Sequence, residues 1–94
     1  MHIIMVNQTN LFKNKKNKLT KNQINELDEK IKELMKNPEI GILKTGDLND
    51  IRVHYFKLVN QNYLLAYEYN KDSILLLSIG VHENFYRDLK KYRK

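Results

Sequence analysis

Ile74-Leu75-Leu76-Leu77-Ser78-Ile79 is the run that decides the fold. All but one of its residues are large and aliphatic, so neither side of an extended chain here can face water. The run reads as a central strand covered on both faces. It is far too short for a membrane span, which takes ~20 apolar residues. Working back along the chain, Asn70-Lys71-Asp72 is a turn signal, Tyr63 to Tyr69 a second strand and Asn60-Gln61-Asn62 another turn. Before them Ile51, Val53 and Tyr55 alternate with Arg52, His54 and Phe56, the period of two of a strand with one buried face. Three strands joined by short turns make an antiparallel meander.

Further upstream the period changes. Ile24, Leu27, Ile31, Leu34 and Met35 recur at spacings of three and four, which is one helical face. Thr20 with Gln23 three residues later has the form of a capping box. Asn37-Pro38 ends the helix, because Pro disfavours helical geometry in the residue before it. Residues 9–17 read as a shorter amphipathic helix and residues 3–6 as a short strand. After Gly80 the chain leaves the sheet, and residues 84–92 suit a short terminal helix. The expectation is a single α+β domain over residues 1–94, with two N-terminal helices packed on an antiparallel sheet of about four strands and a short C-terminal helix.

Composition limits what such a domain can do. A chain of 94 residues buries roughly 60–65% of its unfolded surface, so a site is expected on an open cleft or face. There is no Cys, hence no disulfide and no thiolate metal site. No two of His2, His54 and His82 have the spacing of a helical ligand pair, and neither a metal nor another cofactor is expected. Met1 to Val6 lacks the basic region of a signal peptide, which points to a cytoplasmic protein with no membrane association. The net charge is +6. Lys13, Lys15, Lys16, Lys18 and Lys21 form one cationic block, and Arg87, Lys90, Lys91, Arg93 and Lys94 another. Such asymmetry favours a polyanion or an acidic protein partner, although a solvated lysine surface has the same composition.

The residues able to do chemistry are few. Arg52 and His54 are two apart on a strand and share a face, opposite the core side of Ile51 and Val53. Pointing into a cleft, they can bind a phosphate and move a proton; on a solvated face they are edge protection. His82 stands just past the strand end, with Glu83 beside it to orient the ring. Phe85 and Tyr86 follow; Phe85 is the expected core ring and Tyr86 the exposed one, suited to stacking on a base.

Together these residues carry a resemblance. The capped helix, Asn37-Pro38, Leu43-Lys44-Thr45-Gly46-Asp47-Leu48, Ile51-Arg52-Val53-His54, Tyr63-Leu64-Leu65-Ala66-Tyr67 and Gly80-Val81-His82-Glu83-Asn84-Phe85-Tyr86 follow in an order similar to the RelE/ParE superfamily of bacterial toxins, in its ParE-like branch. The resemblance implies a toxin of a type II toxin–antitoxin pair, neutralised by a cognate antitoxin expected in the apolar groove between the N-terminal helices and the sheet. RelE-like members cleave mRNA in the ribosomal A site; ParE-like members poison DNA gyrase without enzymatic action. The set His54, His82, Arg52 and Tyr86 favours the first: a metal-independent, ribosome-dependent endoribonuclease. Either histidine can be base or acid. Arg52 offsets phosphorane charge and Tyr86 holds the nucleotide. Lys57, Glu83, Arg87, Lys90 and Lys91 complete the expected RNA contacts. In one departure, Leu64 stands where RelE itself has an Arg, a phosphate contact that Arg52, Lys57 or Arg87 can supply.

Overall fold

A computed structural model of the chain describes residues 4–93, without the Arg93 side chain. The start of the expected first strand and the last cation, Lys94, lie outside the described residues. The elements run β1 (Met5–Gln8), α1 (Asn10–Lys16), α2 (Lys21–Lys36), β2 (Ile42–Leu43), a 3-10 turn (Gly46–Leu48), β3 (Arg52–Leu58), β4 (Gln61–Asn70), β5 (Ser73–Gly80) and α3 (His82–Arg93). Among the described residues no helix is long and apolar enough to cross a membrane.

Both N-terminal helices start on a side-chain cap. Thr9 accepts from the Phe12 amide at 3.0 Å and so opens α1. Thr20 and Gln23 form the reciprocal capping box of α2, at 3.2 and 2.9 Å. Each cap satisfies amides that the first helical turn leaves without carbonyl partners.

The sheet differs from the expected one. It has five strands in the order β1-β5-β4-β3-β2, and it is mixed. β3, β4 and β5 form the expected antiparallel meander, but β1 lies parallel to β5, with Val6 opposite Ile74. β1 and β5 run the same way because the whole α1–β4 segment lies between them and returns the chain to the starting end. β5 is an interior strand, as its composition requires, and the longer β4 holds the middle.

Both faces of the sheet are covered. One face packs with α1 and α2 in a cluster of Phe12, Leu27, Leu34, Leu58, Leu65, Tyr67, Ile74 and Ile79. The other packs with α3 and the 3-10 turn in a cluster of Leu48, Ile51, Val53, Leu64, Ala66, Leu77, Phe85 and Leu89. Phe12 and Leu27 are fully buried against the sheet, so the space between the N-terminal helices and the sheet is filled by this chain's own core and is not an open groove.

Candidate functional site

Strand alternation sorts the expected site residues onto different sides of the sheet. Arg52 pairs with Tyr67 and His54 with Leu65, both of the α1–α2 cluster. His54 is half-buried there, its ring edge-on to Phe56 at 5.2 Å. Burial lowers its pKa, and Lys30 of α2 adds to this while Glu33 opposes it. Arg52 turns its guanidinium to the loop after α2, donating from Nη1 to the carbonyls of Gly41 at 3.0 Å and Glu39 at 3.2 Å.

His82 and Tyr86 belong to the other side. Across the sheet Tyr55 pairs with Leu64 and Leu64 with Gly80, so a row leads from β3 to the start of α3. Glu83 (φ −63°, ψ 125°) and Asn84 (φ 68°, ψ −7°) then take the backbone of a type II turn. Asn tolerates the positive φ, which explains its place in this segment. The turn swings the helix back over the sheet, where Phe85 and Leu89, four apart, anchor it in the core. Tyr86, one position on, is left at the margin with its hydroxyl 2.8 Å from that of Tyr55.

Lys44 completes the cluster. Its amide bonds the Ile51 carbonyl at 2.8 Å, and its side chain runs along β3 to place Nζ 3.4 Å from the Tyr55 hydroxyl. The ammonium stands 5.7 Å from the ring centre of Tyr55 and 5.6 Å from that of Tyr86, within cation–π range. The His82 ring meets Tyr86 edge-on at 5.9 Å. Beside them an open cleft of about 350 Å³ is bounded by Tyr55, Lys57, Asn62, Leu64 and His82 among others.

Electrostatics distinguish the two phenols. The hydrogen bond with Tyr86 pulls the Tyr55 phenol below its ordinary pKa, with Lys44 pulling the same way. Burial raises the Tyr86 phenol, and its bond to Tyr55 adds to this. Either hydroxyl of this pair can be the donor. Burial acts to lower the Lys44 pKa, but the bond to Tyr55 and the two phenol oxygens outweigh it and the net shift is upward.

Of the expected residues, His82, Tyr86 and Lys57 therefore come together, whereas Arg52 and His54 lie across the sheet from them. Glu83 is exposed on the turn. Arg87 faces a different cleft, of about 380 Å³, between α1 and α3, where Asp88 also bonds Lys15 at 2.6 Å. Lys90 and Lys91 are exposed along α3. Leu64 is buried under the cluster and supplies only an apolar floor. Lys44 and Tyr55 were not among the expected site residues. The signal for Tyr55 was parity: it shares its strand face with Ile51 and Val53, the face that receives α3.

Comparisons with known proteins agree with this architecture. A family model described as the ParE-like toxin of type II bacterial toxin–antitoxin systems matches residues 6–90. No curated protein matches the chain. Among solved structures, a double mutant of the E. coli toxin RelE in the free state superposes with a TM-score of 0.74 at 19% identity, over 96% of this chain and 97% of that one. The intact E. coli RelBE toxin–antitoxin complex gives 0.68 at 22% identity, over 85% and 98%. A conserved hypothetical protein of Helicobacter pylori gives 0.62 at 20% identity, over 85% and 96%. At these identities the structural likeness is one of fold.

Proposed function

The chain belongs to the ParE-like toxins of type II bacterial toxin–antitoxin systems, within the RelE/ParE superfamily, and we propose that it acts as a metal-independent endoribonuclease on ribosome-bound mRNA. The observation that supports this is the meeting of Lys44, Tyr55, Tyr86 and His82 beside an open cleft. Cleaving RNA without a metal needs a base for the 2′-hydroxyl, a cation for the phosphorane and an acid for the leaving oxygen. His82 takes the 2′ proton, and the 2′ oxygen attacks the adjacent phosphorus. A 2′,3′-cyclic phosphate forms as the P–O5′ bond breaks, and the 5′ oxygen takes the Tyr86 proton. Tyr86 can be the acid because a phenol carries its proton at neutral pH, and burial raises this one further. Lys44 offsets the developing charge, with Lys57 near the cleft as a second phosphate contact. Arg52 and His54 have no direct part in this scheme, since the sheet stands between them and His82.

The cognate antitoxin follows from the same reading. A basic toxin of net charge +6 suits an acidic, amphipathic partner segment, and steering by charge speeds capture and weakens with salt. The separation of the two histidines also favours a second reading, a toxin that docks on DNA gyrase through the exposed face of α3, with Lys90, Lys91 and Tyr92. Purified protein added to programmed ribosomes distinguishes the two. Cleavage within the A-site codon, lost in His82→Gln, supports the ribonuclease; intact mRNA with blocked supercoiling supports docking.

A further inference from the structure

We infer that Arg52 is a positioning residue for Lys44, acting from the opposite face of the sheet through the loop of residues 37–41. This rests on the reading that Lys44 belongs to the reaction centre. β2 is only two residues long, so its pairing with β3 holds the Lys44 backbone at few points. The chain leading into β2 is held instead by two side chains that reach up from the sheet. Arg52 Nη1 donates to the carbonyls of Gly41 and Glu39. The Tyr67 hydroxyl donates to the Pro38 carbonyl at 2.6 Å and accepts from the Gly41 amide at 2.9 Å. Gly41 thus has its carbonyl on Arg52 and its amide on Tyr67, and Lys44 lies three residues on. The fit is close: a Cβ at Gly41 would meet the Tyr67 hydroxyl oxygen at 2.8 Å and a ring carbon at 2.9 Å.

This arrangement gives Arg52 a role its sequence position did not suggest. Its charge faces peptide carbonyls, not a phosphate. A guanidinium can bond two carbonyls in one plane, which a lysine ammonium does less well. Loss of these bonds frees the loop, and with it the reach of Lys44 to Tyr55.

The free protein carries a readout of that reach, because Lys44 helps to depress the Tyr55 phenol. With tyrosine labelled at Cζ and the Tyr55 signal assigned from Tyr55→Phe, NMR titration follows this one group. Lys44→Met is expected to move the Tyr55 titration upward. Arg52→Met is expected to move it by about as much, Arg52→Lys by less, and the double variant no further than Lys44→Met alone. Gly41→Ala, which disturbs the same loop from the other side, is expected to act like Arg52→Met. In RNA cleavage Arg52→Met and Lys44→Met are each expected to lose about 10²-fold, the cost of removing one preorganised donor. The double variant is expected to match the single ones, since groups in one chain of contacts are not additive. A Tyr55 titration unchanged in folded Arg52→Met overturns the inference, as do cleavage losses that multiply. Wild-type protein that cleaves no RNA refutes the reaction reading alone, and the titration still decides the role of Arg52.

Discussion

Changing Tyr67 to Phe removes one oxygen atom and two hydrogen bonds while leaving the ring in place. The ring is fully buried, so little apolar area changes. Burial also keeps the phenol protonated, against the Gly41 amide and the Arg52 charge, so the wild-type hydroxyl donates to Pro38 at neutral pH. After the change the Pro38 carbonyl loses its 2.6 Å partner and the Gly41 amide its 2.9 Å partner. A net hydrogen bond contributes about 1 kcal/mol, and a buried donor left without a partner costs about 1–3 kcal/mol. Pro38 is half-buried and can recruit water, while Gly41 is buried, so the amide dominates. The expected loss is about 2–3 kcal/mol. For a domain of this size each kcal/mol lowers Tm by about 4–8 °C, which makes the expected fall about 8–24 °C. Urea denaturation with an unchanged m-value measures the loss directly. A loss below about 0.5 kcal/mol would refute the argument that this hydroxyl ties the loop to the sheet.

Other parts of the account can be tested separately. Leu89→Ala empties a fully buried site under α3 and is expected to cost about 2–5 kcal/mol in chemical denaturation. Thr20→Ala breaks the capping box of α2 and is expected to cost about 1 kcal/mol by the same measurement. His54 has a folded pKa below its unfolded one, so the folded state binds the proton less well. Its stability contribution is full above the unfolded pKa and is lost as pH falls toward the folded one. Stability is therefore expected to drop as pH falls below about 6.5, and more gently in a folded His54→Gln variant, as melts across that range will show.

Local signals were legible in the sequence where one element carried its own pattern. The α2 face, its cap and its Pro stop all lie within one stretch of chain, as do the alternation and turns of the meander. The parallel pairing of β1 with β5 was not legible, because it joins strands far apart in sequence with no turn to set their register. β2, with two residues, is too short to show a period.

At the candidate site, the phrase from Gly80 to Tyr86 drew attention to His82 and Tyr86, whose rings meet edge-on in the structure. β3 was harder to read. Arg52 and His54 were read as facing either a cleft or solvent because Ile51 and Val53 occupied the buried face. The same strand, however, continues with Phe56 and Leu58 on the Arg52–His54 face, and both pack in the α1–α2 cluster. A strand apolar on one face toward its start and on the other toward its end is covered on both sides. Tyr55 and Lys57 alternate with Phe56 and Leu58 and stand at the margin of the α3 face, beside the cleft. Lys44 was harder to find, since it reaches Tyr55 along the strand from a connection with no regular pattern.

The central claim is that the His82–Tyr86–Lys44 cluster cleaves RNA on the ribosome. The most direct measurement is primer extension on mRNA from programmed ribosomes incubated with the purified protein, run beside His82→Gln, Tyr86→Phe and His54→Gln. The account predicts a new cut within the A-site codon, lost by about 10²-fold or more in the first two variants and retained in His54→Gln. Intact mRNA with the wild-type protein, or a cut that depends on His54 and survives without His82, would contradict it.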